Sequence, residues 1–348
     1  MEQERKKDRF NVSEDKSLRA ILSKFGSLLG LLLLCVILTF ASDQFLTFKN
    51  IMNIANQSAL NSLISVGMLL TILTAGIDLS VGSVLALSIC VMAVAITKWH
   101  LNAMMAIILC LVVGSFLGFI NGILLTKLKL PHPFISTLAM KNVAAGLALI
   151  VTGASPISGF SKSVQFLGSE KIGLIPVSFI LVIAVYAIFH IFLNRTAQGR
   201  YIYAVGGNPE AAKLSGVNVS KTLVLVYSLS GFMAALCGIV LVGRVNAAFP
   251  LAGLNYDADA IAACIIGGAS FMGGSGTVWG TLIGSMIMAV LRNGLNLLGV
   301  PADVQTVAIG LVIIGAVYVD VLRTQAQKKA KTNSNSNTNT NTPVNVKA

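Results

Sequence analysis

The feature that most constrains this chain is a series of long apolar stretches separated by short polar segments. A helix needs about 20 apolar residues to cross the hydrocarbon core of a bilayer. Because unpaired backbone groups cannot face lipid, such stretches are expected to be helical. The second and third stretches are nearly fused, and the eighth is too short to span without its flanks. The ten stretches are Ser23–Ala41, Ala59–Ala75, Ser80–Ile96, Ala103–Leu125, Phe134–Val151, Ile172–Leu193, Leu223–Val242, Ala260–Phe271, Thr277–Leu298 and Val304–Leu322.

The composition supports a surface that mostly faces lipid. Only 11% of the residues are charged and 55% are hydrophobic, whereas a soluble domain carries about 25% charged residues. A net charge of +12 is compatible with nucleic-acid binding, but here the basic residues lie between the apolar stretches, as cytoplasmic anchors do. Each of the five cysteines lies alone in an apolar stretch. We therefore expect free thiols, with no disulfide, metal or cofactor.

The distribution of Lys and Arg predicts the orientation. If ten spans alternate from an inside N-terminus, the inside segments hold about three times as many basic residues as the outside segments. We therefore expect an all-α, polytopic transmembrane helical bundle with both termini in the cytoplasm. The N-terminal tail, residues 1–22, contains five acidic residues and is unlike a signal peptide. The transmembrane domain is predicted over 23–322, and the Asn/Thr-rich segment 323–348 is predicted to be a disordered cytoplasmic tail.

Two predicted spans, the fourth and the ninth, carry doubled GxxxG patterns. Small residues at every fourth position let another helix backbone approach closely. Since the two patterns lie five spans apart, a genuine repeat would give a 5+5 inverted arrangement, which is typical of transporters. Chance in a chain with 32 glycines is the alternative. The glycines are Gly114, Gly118 and Gly122 in the first pattern and Gly276, Gly280 and Gly284 in the second.

The segment GIDLSVGS, residues 76–83, interrupts the second and third spans. Irregular backbone at membrane depth must face protein or water. Asp78 or Ser80 could cap the third span by accepting its free N–H groups. The alternative is that the segment, with Gly76 and Gly82, forms part of a transport path or gate.

The largest inside loop, residues 199–219, predicts a short cytoplasmic helix of about two turns. Its sequence provides an N-cap, a proline suited to the first helical position, an acid that complements the helix dipole, two strong helix formers and a glycine stop. Such a helix is either a handle for a partner or an ordinary interfacial helix. These residues are Asn208, Pro209, Glu210, Ala211, Ala212 and Gly216.

Several of these strings resemble one family. The pattern E-A-A-x-x-x-G at 210–216 is similar to the loop by which ABC importer permeases dock into their ATPase. The I-x-L-P-like stretch that often follows is missing, which fits the ribose/galactose branch of the family. The strings GIDLSVGSVLALS, GGNPEAAKLSGVNV, YDADAIAACIIGGASFMGGSGTVWGTLIG and NGLNLLGV also look like that branch. The resemblance covers about residues 45–320.

The resemblance implies a permease subunit that moves a monosaccharide across the bacterial inner membrane. It further implies a second permease subunit, expected as a homodimer, an ABC ATPase inside and a periplasmic or surface sugar-binding protein outside. The chain contains no G-x-x-x-x-G-K-[ST] phosphate loop, so ATP hydrolysis is expected in a partner and not in this chain. Ribose is the first choice of sugar. Allose, galactose, xylose and autoinducer-2-like molecules stay open, because specificity in such systems rests largely with the binding protein.

Polar residues inside predicted spans are candidates for the path. Lys141 and Asn142 lie within the fifth span, where an ionisable residue indicates function unless it snorkels to the interface. Because a sugar is neutral and rich in hydroxyls, amide side chains should line its path; the candidates are Asn53, Asn56, Gln57, Asn61 and Asn121.

Polar residues near the predicted outer surface have more ordinary interpretations. Arg292, Asn293 and Asn296 are interpreted as a docking or entrance site or as interfacial anchors. Asp257 and Asp259 are predicted in an outer loop, as caps or docking contacts.

Two other classes of protein remain as alternatives. An ion-coupled secondary transporter would need intramembrane carboxylates, and only Asp78 and Asp320 come near this condition, both at predicted span ends. An intramembrane enzyme would need a catalytic constellation, and no paired carboxylate or Ser/His arrangement indicates one.

Overall fold

The structure, a computed structural model, describes residues 26–128, 130 and 132–339, with side chains described as far as residue 321. In this part of the chain the fold is helical, with thirteen helices and four strands of two residues each. The helices are α1 Gly26–Ala41, α2 Phe48–Leu73, α3 Val81–Thr97, α4 Ala103–Lys127, α5 Pro133–Thr152, α6 Lys162–Ser169, α7 Val177–Arg195, α8 Ala197–Gly207, α9 Pro209–Leu214, α10 Val219–Val245, α11 Tyr256–Ile266, α12 Val278–Leu297 and α13 Ala302–Asn339. The strands form two antiparallel pairs, β1 Ile157–Ser158 with β4 Ala247–Ala248, and β2 Lys171–Ile172 with β3 Ile175–Pro176.

Among the described helices, seven are long and apolar enough to cross a membrane: α2, α4, α5, α7, α10, α12 and the Ala302–Val321 part of α13. Helices α1 and α3 are apolar but shorter. Helix α11 has 11 residues and is about 16 Å long at 1.5 Å per residue, roughly half of a hydrocarbon core. The all-helical prediction is confirmed, whereas the number of spans and the side of the termini stay predictions.

The chain divides into two compact units, Met1–Pro301 and Ala302–Ala348. The second unit contains α13, which continues to Asn339 and so passes the point where the Asn/Thr-rich tail was expected to begin. Disorder of that tail stays a prediction, and its last residues, 340–348, lie outside the described residues. The predicted N-terminal tail, residues 1–22, also lies outside them.

The core of the first unit is built around α2 and α10. Helix α2 packs against α7, α10, α11 and α12, and α10 packs against α2, α3, α4 and α6. Every residue in the second half of α2, 62–73, is buried, among them Leu63, Leu69 and Leu73. A helix that is apolar on all sides is expected in the interior of a bundle. Each of these two central helices is followed by a segment that interrupts the helical path, so they position both interruptions.

Two segments break the helical path at similar places. The first joins α2 to α3, and the second joins α10 to α11; their sequences, AGIDLS from Ala75 and AGLNYD from Ala252, resemble each other. Both contain non-glycine residues in the left-handed region, Ala75 with φ 58° and Asn255 with φ 66°. A methyl group on Gly82 would overlap the carbonyl oxygen of Gly253. The starts of α3 and α11 therefore lie directly against each other.

The first glycine pattern lies where α4 meets α10. A methyl carbon on Gly114 would lie 2.5 Å from the carbonyl oxygen of Gly231, and one on Gly122 would lie 2.6 Å from the Cα of Val224. At Gly118 it would overlap the carbonyl oxygen of Tyr227. Only hydrogen fits at these positions, because the neighbouring atoms belong to the backbone of another helix.

The second glycine pattern faces α11, and only part of it is helical. Methyl groups on Gly280 and Gly284 would overlap the carbonyl oxygens of Gly267 and Ala263. Gly276, expected on the same strip, instead precedes the helix with φ 155°. The reason is that Thr277 caps α12 by accepting the N–H of Gly280. The two glycine patterns therefore do not occupy equivalent positions in the two helices.

Candidate functional site

Asp78 is the centre of a buried polar cluster at the break between α2 and α3. It is 1% exposed. Its Oδ1 accepts hydrogen bonds from the backbone N–H of Ser80 at 3.0 Å and from the Ser80 hydroxyl at 2.5 Å. Its Oδ2 accepts one from the hydroxyl of Ser230 at 2.9 Å. Asn121 donates to the Ser80 oxygen at 2.9 Å, so the cluster links α3, α4 and α10.

The predicted capping role was wrong for both residues, because neither side chain accepts a backbone N–H group of α3. Ser80 occupies the N-cap position of α3 but makes no side-chain capping bond, because its hydroxyl donates to Asp78. Asp78 instead accepts the N–H of Ser80 itself. Asp78 lies between the end of α2 and the start of α3, and it is enclosed by Ser230 of α10 and, through Ser80, by Asn121 of α4.

Two buried side-chain atoms among the described residues have no hydrogen-bond partner in the protein, Asn121 Oδ1 and the hydroxyl of Tyr227. The Tyr227 hydroxyl lies beside Gly76, where a methyl carbon would come within 2.6 Å of it. Because glycine has no side chain, position 76 leaves room for the Tyr227 hydroxyl. Buried polar groups without a protein partner are rare and are often bridged by water.

Lys141 of α5 forms an ion pair with Asp257 of α11, with 2.6 Å between Nζ and Oδ2. The lysine side chain is 35% exposed and the aspartate side chain 9%. The prediction of an outer loop for Asp257 and Asp259 was wrong, because α11 begins at Tyr256 and places both in its first turn. Carboxylates there complement the positive end of the helix dipole.

Arg292 and Asn293 of α12, interpreted as a docking or entrance site or as interfacial anchors, have partners within the bundle. Arg292 forms an ion pair with Asp259, with 2.6 Å between Nη2 and Oδ2. Asn293 exchanges two amide hydrogen bonds with Asn50 of α2, at 2.8 and 2.9 Å. These contacts tie α12 to α11 and to the start of α2.

A cavity of about 130 Å³ lies beside the Lys141–Asp257 pair, between α5 and the starts of α3 and α11. It brings together Gly82, Lys141 and Asn142 with Asn255 and Asp257. The predicted gate residues therefore fall into two neighbouring groups, one buried around Asp78 and one lining this cavity. The sequence signal that could have revealed Asn255 is the similarity between AGIDLS and AGLNYD.

A second cavity, of about 510 Å³, lies at the start of α2. Its lining includes Lys49, Asn50, Asn53, Asn56 and Lys171. Of the amide candidates for a path, Asn53 and Asn56 therefore line this cavity. Asn121 belongs instead to the Asp78 cluster, and Asn61 accepts a hydrogen bond from Ser65 on its own helix.

The short loop helix α9 has the caps that its sequence indicates. Asn208 Oδ1 accepts the N–H of Ala211 at 3.0 Å, Pro209 is the first helical residue, and Gly216 has φ 84°. Pro209, Glu210 and Ala211 are exposed, and Ala212 is buried against the protein. Leu214 is 89% exposed, so α9 presents an apolar side chain at its end.

Helix α8 connects α9 to the end of α2, where the break between α2 and α3 begins. The sequence did not reveal this contact. The Tyr203 hydroxyl donates to the carbonyl of Gly276 at 2.9 Å. A methyl group on Gly206 would overlap the carbonyl oxygen of Leu73, which also accepts the N–H of Gly274 at 3.0 Å. Burial raises the pKa of Tyr203, so this hydroxyl is a donor at neutral pH. Helix α8 therefore rests on the end of α2.

An apolar helical bundle with broken helices, ion pairs between helices and a capped loop helix has the features of a membrane transport subunit. The family model for the permease component of branched-chain amino acid transport systems matches residues 50–317. The chain belongs to this family and is a permease subunit of the ABC transporter class, a multi-pass protein of the bacterial inner membrane and not an enzyme.

Similar proteins include permeases of sugar transport. The ribose import permease protein RbsC of Escherichia coli strain K12 is 42% identical over 306 residues, 87% of this chain and 95% of the relative. RbsC of Bacillus subtilis strain 168 is 43% identical over 302 residues, 86% and 93% of the two chains. The D-allose transport system permease protein AlsC of Escherichia coli strain K12 is 40% identical over 300 residues, 85% and 91%. No solved structure matched the chain.

Proposed function

We propose that this chain is the membrane-spanning permease of an ABC importer that brings a monosaccharide, ribose as the first choice, into the cytoplasm. The observation that carries the proposal is the 42–43% identity to ribose import permeases over nearly the whole length of both chains. The allose and galactose permeases are 40% and 36% identical, which supports the monosaccharide class and favours ribose within it.

The polar face of α5 supports a water-filled path. Lys141 is the ninth residue of α5, about 12 Å along the helix axis from its start. The neighbouring Asn142 is exposed. Neither a charged nor an amide side chain at this depth is expected to face lipid. We infer that this face lines the path and that a second permease subunit, a copy of this chain, closes its other side.

The gate is proposed at the two broken segments. The cluster of Asp78, Ser80 and Asn121 fixes the start of α3, and Gly76 and Gly82 permit the close approach of Tyr227 and Gly253. Lys141 and Asn142 belong to the same region through the cavity beside α11. Opening a path between α5 and α11 would require the Lys141–Asp257 pair to separate.

The energy for this movement is proposed to come from a separate ABC ATPase that docks on α9. This helix offers the exposed Glu210 and Leu214 to such a partner. From α9, displacement can pass through α8 to Leu73 at the end of α2, and hence to the break that contains Asp78. The charge distribution supports an inside position for α9, with both termini in the cytoplasm and a sugar-binding protein docking outside.

ATP-driven uptake of labelled ribose into vesicles tests the function. The vesicles carry the permease with its ATPase and its sugar-binding protein, and an ionophore collapses ion gradients. We expect uptake to require ATP and to survive the ionophore. Absence of ATP-driven uptake for ribose, allose, galactose and xylose alike would refute the proposal, and loss of uptake with the ionophore would favour an ion-coupled transporter.

Charge reversal at α9 tests the docking role. Glu210→Lys should abolish uptake and the co-purification of the ATPase, because it reverses the charge on the exposed helix. The matched control is Asp43→Lys, which changes an exposed carboxylate in the turn between α1 and α2; it should retain the ATPase. If Glu210→Lys retained both uptake and the ATPase, the docking role of α9 would be wrong.

A further inference from the structure

The cavity beside the Lys141–Asp257 pair contains side chains whose hydrogen-bonding capacity is not fully used by the residues that the structure describes. Asn255 is the N-cap residue of α11, but its side chain makes no capping hydrogen bond and is exposed. Asn142 donates only to the carbonyl of Leu138 on its own helix, at 3.2 Å. A carboxamide has two donor hydrogens and an acceptor oxygen. Both amides therefore have groups left to offer to a solute.

The backbone of Asn255 is held in an uncommon conformation. Its φ of 66° and ψ of 5° lie in the left-handed region, which most side chains avoid and which asparagine tolerates better than others. A residue in this region that does not cap its helix gains no local hydrogen bond from its side chain. Strained residues of this kind are concentrated at functional sites.

The charges at the cavity are balanced. The Lys141 ammonium has three donor hydrogens and directs one to Asp257, while each carboxylate oxygen can accept more than one hydrogen bond. The ion pair thus offers donors and acceptors without a local net charge. Together with two amides, this combination suits a neutral solute rich in hydroxyl groups better than it suits an anion or a cation.

We propose that this cavity is a binding station for the hydroxyl groups of the transported sugar, with Asn255 and the Lys141–Asp257 pair as its contacts. The inference rests on the proposed import function and extends it. The permease then contributes to the choice of solute, in addition to the binding protein. The solute is recognised as a small neutral polyol.

Asn255→Gly isolates the contribution of the amide. Glycine adopts φ 66° without a steric penalty, so the fold should be retained while the side chain is lost. The matched control is Asn246→Gly, at the end of α10, where φ is 52°. The Asn246 side chain accepts the N–H of Phe160 at 2.9 Å and does not line the cavity. The control therefore removes an amide from a similar backbone conformation away from the proposed station.

The experiment uses the complete transporter in vesicles, with ribose-loaded binding protein. Uptake, ATP hydrolysis and the unfolding temperature of the permease are measured for both variants. A lost hydrogen bond of about 0.5–1.5 kcal/mol corresponds to a roughly two- to twelvefold effect. We expect Asn255→Gly to lower ribose uptake per ATP hydrolysed by about this factor while keeping its unfolding temperature. Asn246→Gly should keep the wild-type ratio of sugar to ATP.

The outcomes separate this inference from the function on which it rests. If wild-type vesicles transport ribose and Asn255→Gly does so at the same ratio, the station is wrong and the import function stands. If both variants lose uptake to the same degree together with stability, the effect is structural and the station is again wrong. If wild-type vesicles show no ATP-driven sugar uptake, the import function itself fails.

Discussion

The contact between α4 and α10 gives the most direct test of how glycine spacing shapes this bundle. Gly118 lies against the backbone of α10, where a methyl group would overlap the carbonyl oxygen of Tyr227 and lie 3.1 Å from the Cα of Ser228. A side chain can rotate away from an added methyl group, but a helix backbone cannot. Gly118→Ala should therefore force α4 and α10 apart.

The expected magnitude follows from two opposing effects. Inserting a methyl group into a closely packed interface costs about 1–3 kcal/mol. Replacing glycine by alanine in a helix interior contributes about 1 kcal/mol in the opposite direction. Gly146→Ala on α5 is the matched control, since no atom lies within 4 Å of its added methyl group. The difference between the two variants cancels the helix propensity and leaves the packing cost of about 1–3 kcal/mol.

Buried cysteines on the two helices make the measurement possible: the Cys110 thiol lies against the carbonyl of Ala235 on α10, and the Cys237 thiol lies against the carbonyl of Leu60 on α2. Cys110 on α4 and Cys237 on α10 are free and fully buried, and a fluorogenic maleimide labels them only when the helices separate or unfold. We expect Gly118→Ala in detergent to label at a lower temperature than the wild type. Gly146→Ala should label at the wild-type temperature or above it.

Equal labelling temperatures for Gly118→Ala and Gly146→Ala would refute this reasoning. They would mean that the added methyl group does not destabilise the contact between α4 and α10, and that the glycine spacing does not stabilise this contact.

Two further predictions concern the buried cluster and the α8 contact. Asp78→Ala should lower the labelling temperature more than Asp78→Asn, because alanine leaves the donors of Ser80 and Ser230 unsatisfied at about 1–3 kcal/mol each; equal temperatures would contradict this role. Tyr203→Phe removes the hydrogen bond to Gly276 and should raise the ATP hydrolysed per sugar transported without releasing the ATPase, and an unchanged ratio would exclude a role in transmission.

Local sequence signals were sufficient for elements whose geometry depends on neighbouring residues. The caps of α9 are an example, since Asn208 and Gly216 act on backbone groups within a few residues. The apolar stretches were similarly informative, because their length and polarity alone determine whether they suit a bilayer. In both cases the relevant interaction lies within one helix or between that helix and its solvent.

The contacts of the candidate site could not be read in this way, because they join distant parts of the chain. Lys141 and Asp257 are separated by 116 positions, and the sequence around either residue does not indicate that the two form a pair. The start of α11 was also missed, since Asn255 begins the helix from a left-handed conformation instead of a standard cap. The similarity of AGIDLS to AGLNYD was the signal that could have predicted this second break. The glycine patterns suggested a different correspondence, between α4 and α12, whose glycines do not occupy equivalent positions.

The two ion pairs of α11 differ in what they connect, and this difference bears on the proposed gate. Asp259 pairs with Arg292 of α12, which packs closely against α11, whereas Asp257 pairs with Lys141 of α5. In each pair a largely buried aspartate meets a partly exposed cation, with side-chain exposures of 9% and 35% for Asp257 and Lys141 and of 10% and 41% for Asp259 and Arg292. A movement of α11 with α12 away from α5 would keep the first pair and break the second. The freed Lys141 and Asp257 would then face the path, where the hydroxyl groups of a passing sugar can replace the lost contact.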